Sequence, residues 1–185
     1  FAMHLPDEFF EESEDIDRVG IIGGYVQGNE PSHHVPYMYN WAGAPWKTAE
    51  KIHQIINTKY NPVPDGLCGN DDCGQMSAWY VFSAMGFYPV CPGTNQYIIG
   101  SPCVREASIE VDNGRKFIVK AINLSDQNIY IQSVMLNGQP WNKTYITHED
   151  LMKGGELIFN MASKPNKKWG TSKESRPYSV STDEL

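Results

Sequence analysis

The spacing of apolar residues changes once along the chain, between Cys91 and Gly100. Before this stretch the spacing is that of helices that pack on one side. After it apolar and polar residues alternate, which is typical of strands. The 185 residues suit one domain, or one smaller domain joined to a piece of another. We therefore predict an α+β fold divided into a helical part, residues 1–92, and a β-rich part, residues 93–185.

Helices are predicted at three places in the first part. Residues 46–58 place their apolar side chains on one face, which indicates an amphipathic helix. Residues 75–85 carry apolar side chains on most sides, so we expect this helix to be buried nearly all round. A further helix is expected over residues 32–43, with an irregular first turn at Pro36. The acidic residues 1–17 predict a loop and a short helix.

Strands are predicted in the second part. Residues 108–111 and 116–122 flank a turn centred on Asn113 and Gly114, and Asn-Gly between alternating segments is a strong hairpin signal. Two further strands are predicted at residues 128–136 and 157–161. One helical turn is predicted between them, at residues 148–153. Together these segments predict an antiparallel sheet or sandwich.

The charge of the chain argues against nucleic-acid binding. Its net charge is −7, and phosphate contacts need clustered Lys and Arg. No apolar run approaches the roughly 20 residues needed to span a bilayer. The sequence opens at Phe1 without a start Met, so we expect it to be a piece of a longer protein.

The four cysteines do not have the spacing of a zinc site. They lie at positions 68, 73, 91 and 103. Cys68 and Cys73 could form a disulfide across a short loop if the protein is exported, but spacing alone leaves both states open.

Two loops rich in Asn, Asp and Glu carry the candidate chemistry: residues 27–34 and residues 69–75. A carboxylate at a helix start has a structural explanation, because it accepts backbone N–H bonds there. A helix start needs only one carboxylate as its cap, however, and Asp71 and Asp72 are adjacent. The second acid therefore has no structural task. Oxygen side chains also suit a hard cation such as calcium, although neither loop is an EF-hand. A cation site would therefore have to be assembled from both loops.

The same loops fit glycoside hydrolysis. An inverting glycosidase uses one acid and one base, about 6.5–9.5 Å apart, to protonate the leaving oxygen and to activate water. His33 and His34 could donate hydrogen bonds to sugar hydroxyls, or each could be a structural histidine. No Ser-His-Asp order, P-loop or dinucleotide motif accompanies them.

The chain resembles the alpha-mannosidases of glycoside hydrolase family 92. The resemblance runs in order through the helical part and continues more loosely into the strands. Its motifs are Gly28-Asn29-Glu30-Pro31-Ser32-His33-His34, Tyr39-Asn40-Trp41-Ala42-Gly43, Pro45-Trp46-Lys47-Thr48, Pro64-Asp65-Gly66-Leu67, Gly69-Asn70-Asp71-Asp72-Cys73-Gly74-Gln75-Met76-Ser77-Ala78-Trp79-Tyr80, Gly86-Phe87-Tyr88-Pro89 and Gly100-Ser101-Pro102.

This resemblance implies a calcium-dependent, exo-acting, inverting alpha-mannosidase, with alpha-1,2 linkages as the expected substrate. Family members combine an N-terminal β-sandwich with a large alpha/alpha toroid. The chain would then hold the last toroid helices and the C-terminal strands. Exported glycans are the substrates of such enzymes, so a periplasmic, cell-surface or secreted location is expected.

The resemblance also implies roles for individual residues. The family motif places the general base at Asp72, with Asp71 or Asn70 assisting. It places calcium ligands at Asn29 and Glu30. The bound calcium is expected to contact mannose hydroxyls and to help distort the ring.

Two further implications concern the sugar pocket and the general acid. His33 and His34 would line the sugar site. The family's general acid is a Glu upstream of these motifs, and no segment of residues 1–24 matches it. The missing N-terminal portion of the enzyme is therefore an expected partner, and the chain alone is expected to be inactive.

Two other functions remain open at this point. The chain could be an inert carbohydrate-binding or structural module of such an enzyme, which predicts binding without hydrolysis. It could also belong to a glycosidase of another specificity. A panel of alpha-mannosides and other glycosides would separate that possibility from the first.

Overall fold

The computed structural model describes residue 1, residue 3 and residues 20–182. The loop and short helix predicted for residues 1–17 therefore fall almost wholly outside the described residues. The helices and strands are β1 (Ile21–Ile22), β2 (Tyr25–Val26), α1 (Pro45–Lys59), α2 (Gln75–Met85), β3 (Phe87–Tyr88), β4 (Gln96–Ile99), β5 (Glu106–Val111), β6 (Arg115–Ile122), β7 (Tyr130–Leu136), β8 (Gln139–Pro140), β9 (Tyr145–Thr147), α3 (His148–Met152) and β10 (Gly155–Ala162). This order confirms the predicted α+β class.

Helix α1 confirms the helix predicted over residues 46–58. It begins at Pro45, whose fixed φ suits the first turn of a helix. Ala49, Ile52 and Ile55 are buried on one face, as their spacing predicts. No helix in the described part of the chain is long and apolar enough to cross a bilayer.

Helix α2 has the predicted bounds but not the predicted burial. It ends at Gly86, whose φ of 103° is the left-handed conformation that glycine adopts most readily. Trp79 is fully buried, whereas Tyr80 is 39% and Val81 52% exposed. The expectation of burial nearly all round was wrong, because the described chain covers only one side of this helix.

The α-helix predicted over residues 32–43 was also wrong. The chain instead makes two short 3-10 turns, Glu30–Ser32 and Val35–Tyr37, followed by further turns. Each of the two contains a proline, Pro31 or Pro36, which lacks an N–H. The backbone N–H groups that close these two turns bond to the carbonyl three residues earlier, as the Met38 N–H does to the Val35 carbonyl. This is the 3-10 pattern, so no α-helix forms.

The strands form a five-stranded sheet in the order β5-β6-β10-β7-β8 and a three-stranded sheet in the order β3-β4-β9. The predicted hairpin is confirmed, with Val111 opposite Arg115. Every pairing among the described strands is antiparallel except β6–β10. Strand β10 lies between β6 and β7. It runs parallel to β6 and antiparallel to β7, so the sheet is mixed.

A buried asparagine joins the helical part to the strands. Asn40 donates to the Ile99 carbonyl at 2.7 Å and accepts from the Thr48 hydroxyl at 2.8 Å. The small sheet also joins β3 to β4 on either side of residue 92. The domain boundary at residues 92 and 93 stays a prediction.

Candidate active site

The two acidic loops meet at a pair of glycines. A Cβ on Gly69 would lie 2.7 Å from the Gly28 Cα, and a Cβ on Gly28 would overlap the Cys68 carbonyl oxygen. Only glycine allows two backbones to approach this closely. The contact brings Asn29 and Glu30 close to the loop that leads into α2.

His33 is held inside the protein by both ring nitrogens. Its Nε2 lies 2.9 Å from the Gln27 carbonyl oxygen, which can only accept, so Nε2 carries the proton. Its Nδ1 then accepts from the Gln75 side-chain amide at 3.2 Å. Burial lowers the pKa of His33, which agrees with this neutral ring.

One face of α2 contacts His33 twice. Gln75 and Trp79 are four residues apart and therefore share a helix face. Gln75 donates to the ring, and the Trp79 indole N–H donates to the His33 carbonyl at 3.1 Å. The second amide proton of Gln75 goes to the Tyr88 hydroxyl at 2.8 Å. The first loop is thereby fixed to the start of α2, directly after the second loop.

Gln27 extends these contacts to the end of α1. Its side-chain amide donates to the Tyr60 hydroxyl at 2.7 Å, and its side-chain oxygen accepts from the Tyr25 hydroxyl. The Tyr60 hydroxyl donates in turn to the Met76 carbonyl at 3.2 Å. Burial raises the pKa of the Tyr60 phenol, and the nearby Asp71 carboxylate contributes to the shift. These side chains are satisfied polar groups in a buried network, which favours one fixed geometry.

The two adjacent acids have different environments. Asp71 accepts from the Ser77 backbone N–H at 2.8 Å and so caps α2. Asp72 and Cys73 have positive φ values of 45° and 59°, a conformation that is uncommon for residues other than glycine. Asp72 is exposed, and its carboxylate has no hydrogen bond or ion pair with any described residue. Of these two acids, therefore, only Asp71 is engaged by the described protein.

Glu30 presents a buried oxygen without a partner. Its Oε1 has no hydrogen bond from any described residue, and leaving such an atom unsatisfied costs about 1–3 kcal/mol. Asn29 is exposed, and its side chain makes no capping bond. Among the described residues, no group of three or more His, Cys, Asp or Glu side chains could hold a metal ion. Asn29 and Glu30 thus fit calcium as oxygen ligands but form an incomplete ligand set.

The remaining predicted site residues differ in exposure. His34 and Asn70 are exposed at the loops, whereas His33 is only 2% exposed. The sugar-contacting role stays a prediction for both histidines, and for His33 the geometry supports a structural role instead. All four cysteines, including Cys68 and Cys73, are free thiols.

Sequence reasoning missed Gln27, Gln75 and Tyr60 as residues that hold the loops together. Gln27 and Gln75 stand within the two acidic loops, but neither glutamine has a charge or a spacing that marks a site. Their role depends on contacts between residues 33 or more apart in sequence. Such contacts leave no local pattern.

Comparisons with known proteins show which family the chain is similar to. Residues 1–163 match the model of the glycosyl hydrolase family 92 catalytic domain. A family 92 alpha-mannosidase from Bacteroides thetaiotaomicron in complex with mannoimidazole is 43% identical with a TM-score of 0.89, over 97% of this chain and 23% of that chain. An inverting mannosidase of the same family and organism is 44% identical with a TM-score of 0.79, over 84% of this chain and 21% of that chain.

The chain belongs to glycosyl hydrolase family 92. A curated relative, described as an uncharacterized secreted glycosidase from Arthroderma benhamiae, is 35% identical over 156 residues, which are 83% of this chain. The chain spans only 20% of the length of that relative and 21% to 23% of the two solved mannosidases.

The glycine contact generates a prediction about stability. Gly28→Ala places a methyl group against the Cys68 carbonyl, so we expect a loss of about 1–3 kcal/mol in the free energy of unfolding. Denaturant unfolding measures this change. Gly93→Ala is the matched control, because a Cβ at Gly93 meets nothing within 4 Å. Equal stability of the two variants would show that the loops are not in close contact.

Proposed function

We propose that the enzyme containing this chain is a calcium-dependent, exo-acting, inverting alpha-mannosidase that releases terminal mannose from glycans, with alpha-1,2 linkages as its substrate. Family membership and the mannosidases among the similar structures support the substrate class. The observation that carries the proposal is the contact between the two acidic loops. This contact joins the loop that carries the unengaged Asp72 carboxylate to the loop that carries the buried, unpartnered Glu30 Oε1.

Asp72 is the general base in this proposal. Of the two adjacent acids, Asp71 is engaged in capping α2, whereas Asp72 has no partner among the described residues. A base must accept a proton from the attacking water, so an exposed and unpaired carboxylate suits the role. Asp71 and Asn70 assist by fixing the loop and by hydrogen bonding near the water.

The general acid lies outside the described residues. Inverting hydrolysis needs a second carboxyl group about 6.5–9.5 Å from the base, with space for water between them. The chain spans only a small fraction of each relative's length. This supports a general acid on the upstream portion of the enzyme. The exposed apolar side chains of Tyr80 and Val81 on α2 support contact with that portion, where α2 would be one of the last toroid helices.

Asn29 and Glu30 hold calcium in this proposal. Calcium takes oxygen ligands, and the buried Glu30 Oε1 without a partner is the strongest support for a cation at this position. The bound ion would supply contacts to mannose hydroxyls that favour a distorted ring. His34 hydrogen-bonds the sugar in this proposal, which its exposure at the same loop supports.

One alternative is an inert carbohydrate-binding or structural module. The oxygen-rich loops would then bind calcium or sugar without hydrolysis. The exposed Asp72 favours the enzyme, because a purely structural loop gains nothing from an unpaired acid in an uncommon backbone conformation. The secreted relative supports a secreted or periplasmic location.

The central prediction concerns Asp72 in the complete enzyme. Asp72→Asn removes the proton acceptor, so kcat on an alpha-1,2-mannobioside should fall by about 10²–10⁴-fold with little change in KM. Asp126→Asn, an exposed acid outside both acidic loops, is the matched control and should keep the wild-type kcat. NMR of the first product should detect beta-mannose. Alpha-mannose as first product, or full activity in Asp72→Asn, would refute the assignment.

A second prediction concerns calcium. Glu30→Gln keeps the size of the side chain but removes its charge, so calorimetric titration of the complete enzyme should show at least about tenfold weaker calcium binding. Glu110→Gln, at an exposed strand position, should bind calcium like the wild type. Unchanged binding in Glu30→Gln would place the ion elsewhere.

A further inference from the structure

A second cleft lies apart from the acidic loops. It has a volume of about 560 Å³ and is lined by Trp41, Gln96, Tyr145, Lys173, Arg176 and Tyr178, among others. None of the predicted catalytic or calcium-binding residues lines it. One wall comes from residues 173–181, beyond the stretch that matches the family model. The cleft is therefore distinct from the site described above.

Arg176 in this cleft has a buried donor without a partner. Its Nε has no hydrogen-bond acceptor among the described residues. The guanidinium lies against Gly43, where a Cβ would come within 2.8 Å of Nη2. Gly43, whose φ is 71°, has no side chain, so the guanidinium can occupy the space where a Cβ would lie. An orphaned buried N–H costs about 1–3 kcal/mol, and a bound acceptor would remove that cost.

The charges around this donor favour an anion. The Nε–H and one Nη–H of arginine point in parallel and match two oxygens of a carboxylate or phosphate. Lys173 adds a second cation, and none of the described residues that line the cleft is Asp or Glu. The pKa of the exposed Glu174 carboxyl is lowered, first by hydrogen bonding to its own backbone and to Ser172 and then by the charges of Lys173 and Arg176.

The aromatic side chains favour a sugar attached to that anion. The Trp41 indole N–H donates to the Tyr178 carbonyl at 2.9 Å, which fixes the indole at the wall of the cleft. The Gln96 side-chain oxygen accepts from the Tyr178 backbone N–H at 2.9 Å, and its amide nitrogen has no partner among the described residues. Aromatic rings beside free polar donors form a surface that suits stacking and hydrogen bonding by a sugar.

We propose that this cleft binds an acidic sugar unit, with the carboxylate or phosphate on Arg176 and the ring against Trp41. This site is separate from mannose hydrolysis and would recognise a charged group on a glycan. The family's action on glycans makes a sugar the natural carrier of the anion, but the binding itself does not depend on Asp72 or on calcium.

The test is calorimetric titration of the complete enzyme with mannose 6-phosphate, glucuronic acid, mannose and inorganic phosphate. The two acidic sugars distinguish a phosphate from a carboxylate as the preferred anion. Arg176→Gln should weaken binding of the preferred acidic sugar by about tenfold or more, and should leave the binding of mannose unchanged. Arg115→Gln, an exposed arginine outside the cleft, is the matched control and should bind like the wild type.

Lys173→Gln is a second variant that does not depend on the packing of Arg176, because Lys173 is exposed. It should weaken the same acidic sugar several-fold and reduce the salt dependence of binding. Failure of both acidic sugars to bind would overturn the proposal. So would wild-type affinity in Arg176→Gln, or equally tight binding of inorganic phosphate and mannose 6-phosphate.

Discussion

The backbone contact between Gly28 and Gly69 is the constraint on which the candidate active site depends. It sets the separation of two loops that are about forty residues apart in sequence. The neutral His33 ring then fixes their orientation, because it accepts from Gln75 at the start of α2 and donates to the Gln27 carbonyl. Both ring nitrogens of His33 and both polar atoms of the Gln27 side chain have partners inside the protein, so the cost of burying them is offset and one geometry is favoured. The Asp72 carboxylate takes no part in this set of contacts.

Local patterns predicted much of the fold. Helices α1 and α2 and the β5–β6 hairpin were correct because periodicity, Gly86 and the Asn113-Gly114 turn act over a few residues. The helix over residues 32–43 failed because Pro36 lacks a backbone donor and the chain there makes a 3-10 turn instead. The parallel pairing of β10 with β6 depends on where the chain inserts a distant strand, which no local pattern encodes.

The candidate site divides in the same way. The sequence argument that one of two adjacent acids lacks a structural task agrees with the cap at Asp71 and the unpaired carboxylate of Asp72. The catalytic roles themselves stay predictions. Gln27 and Gln75 were missed, because buried amides are recognisable only from their partners. Two unsatisfied buried atoms, Glu30 Oε1 and Arg176 Nε, were also invisible in the sequence, and their opposite polarity suggests a cation at one site and an anion at the other.

A double-mutant cycle tests whether the contact between Gln75 on α2 and His33 holds the two acidic loops together. The cycle compares His33→Ala, Gln75→Ala and the double variant by the free energy of unfolding of the enzyme. We predict a coupling energy of about 1 kcal/mol or more, because the Gln75 side-chain amide donates to the buried His33 ring. Additive effects, within about 0.5 kcal/mol, would contradict it.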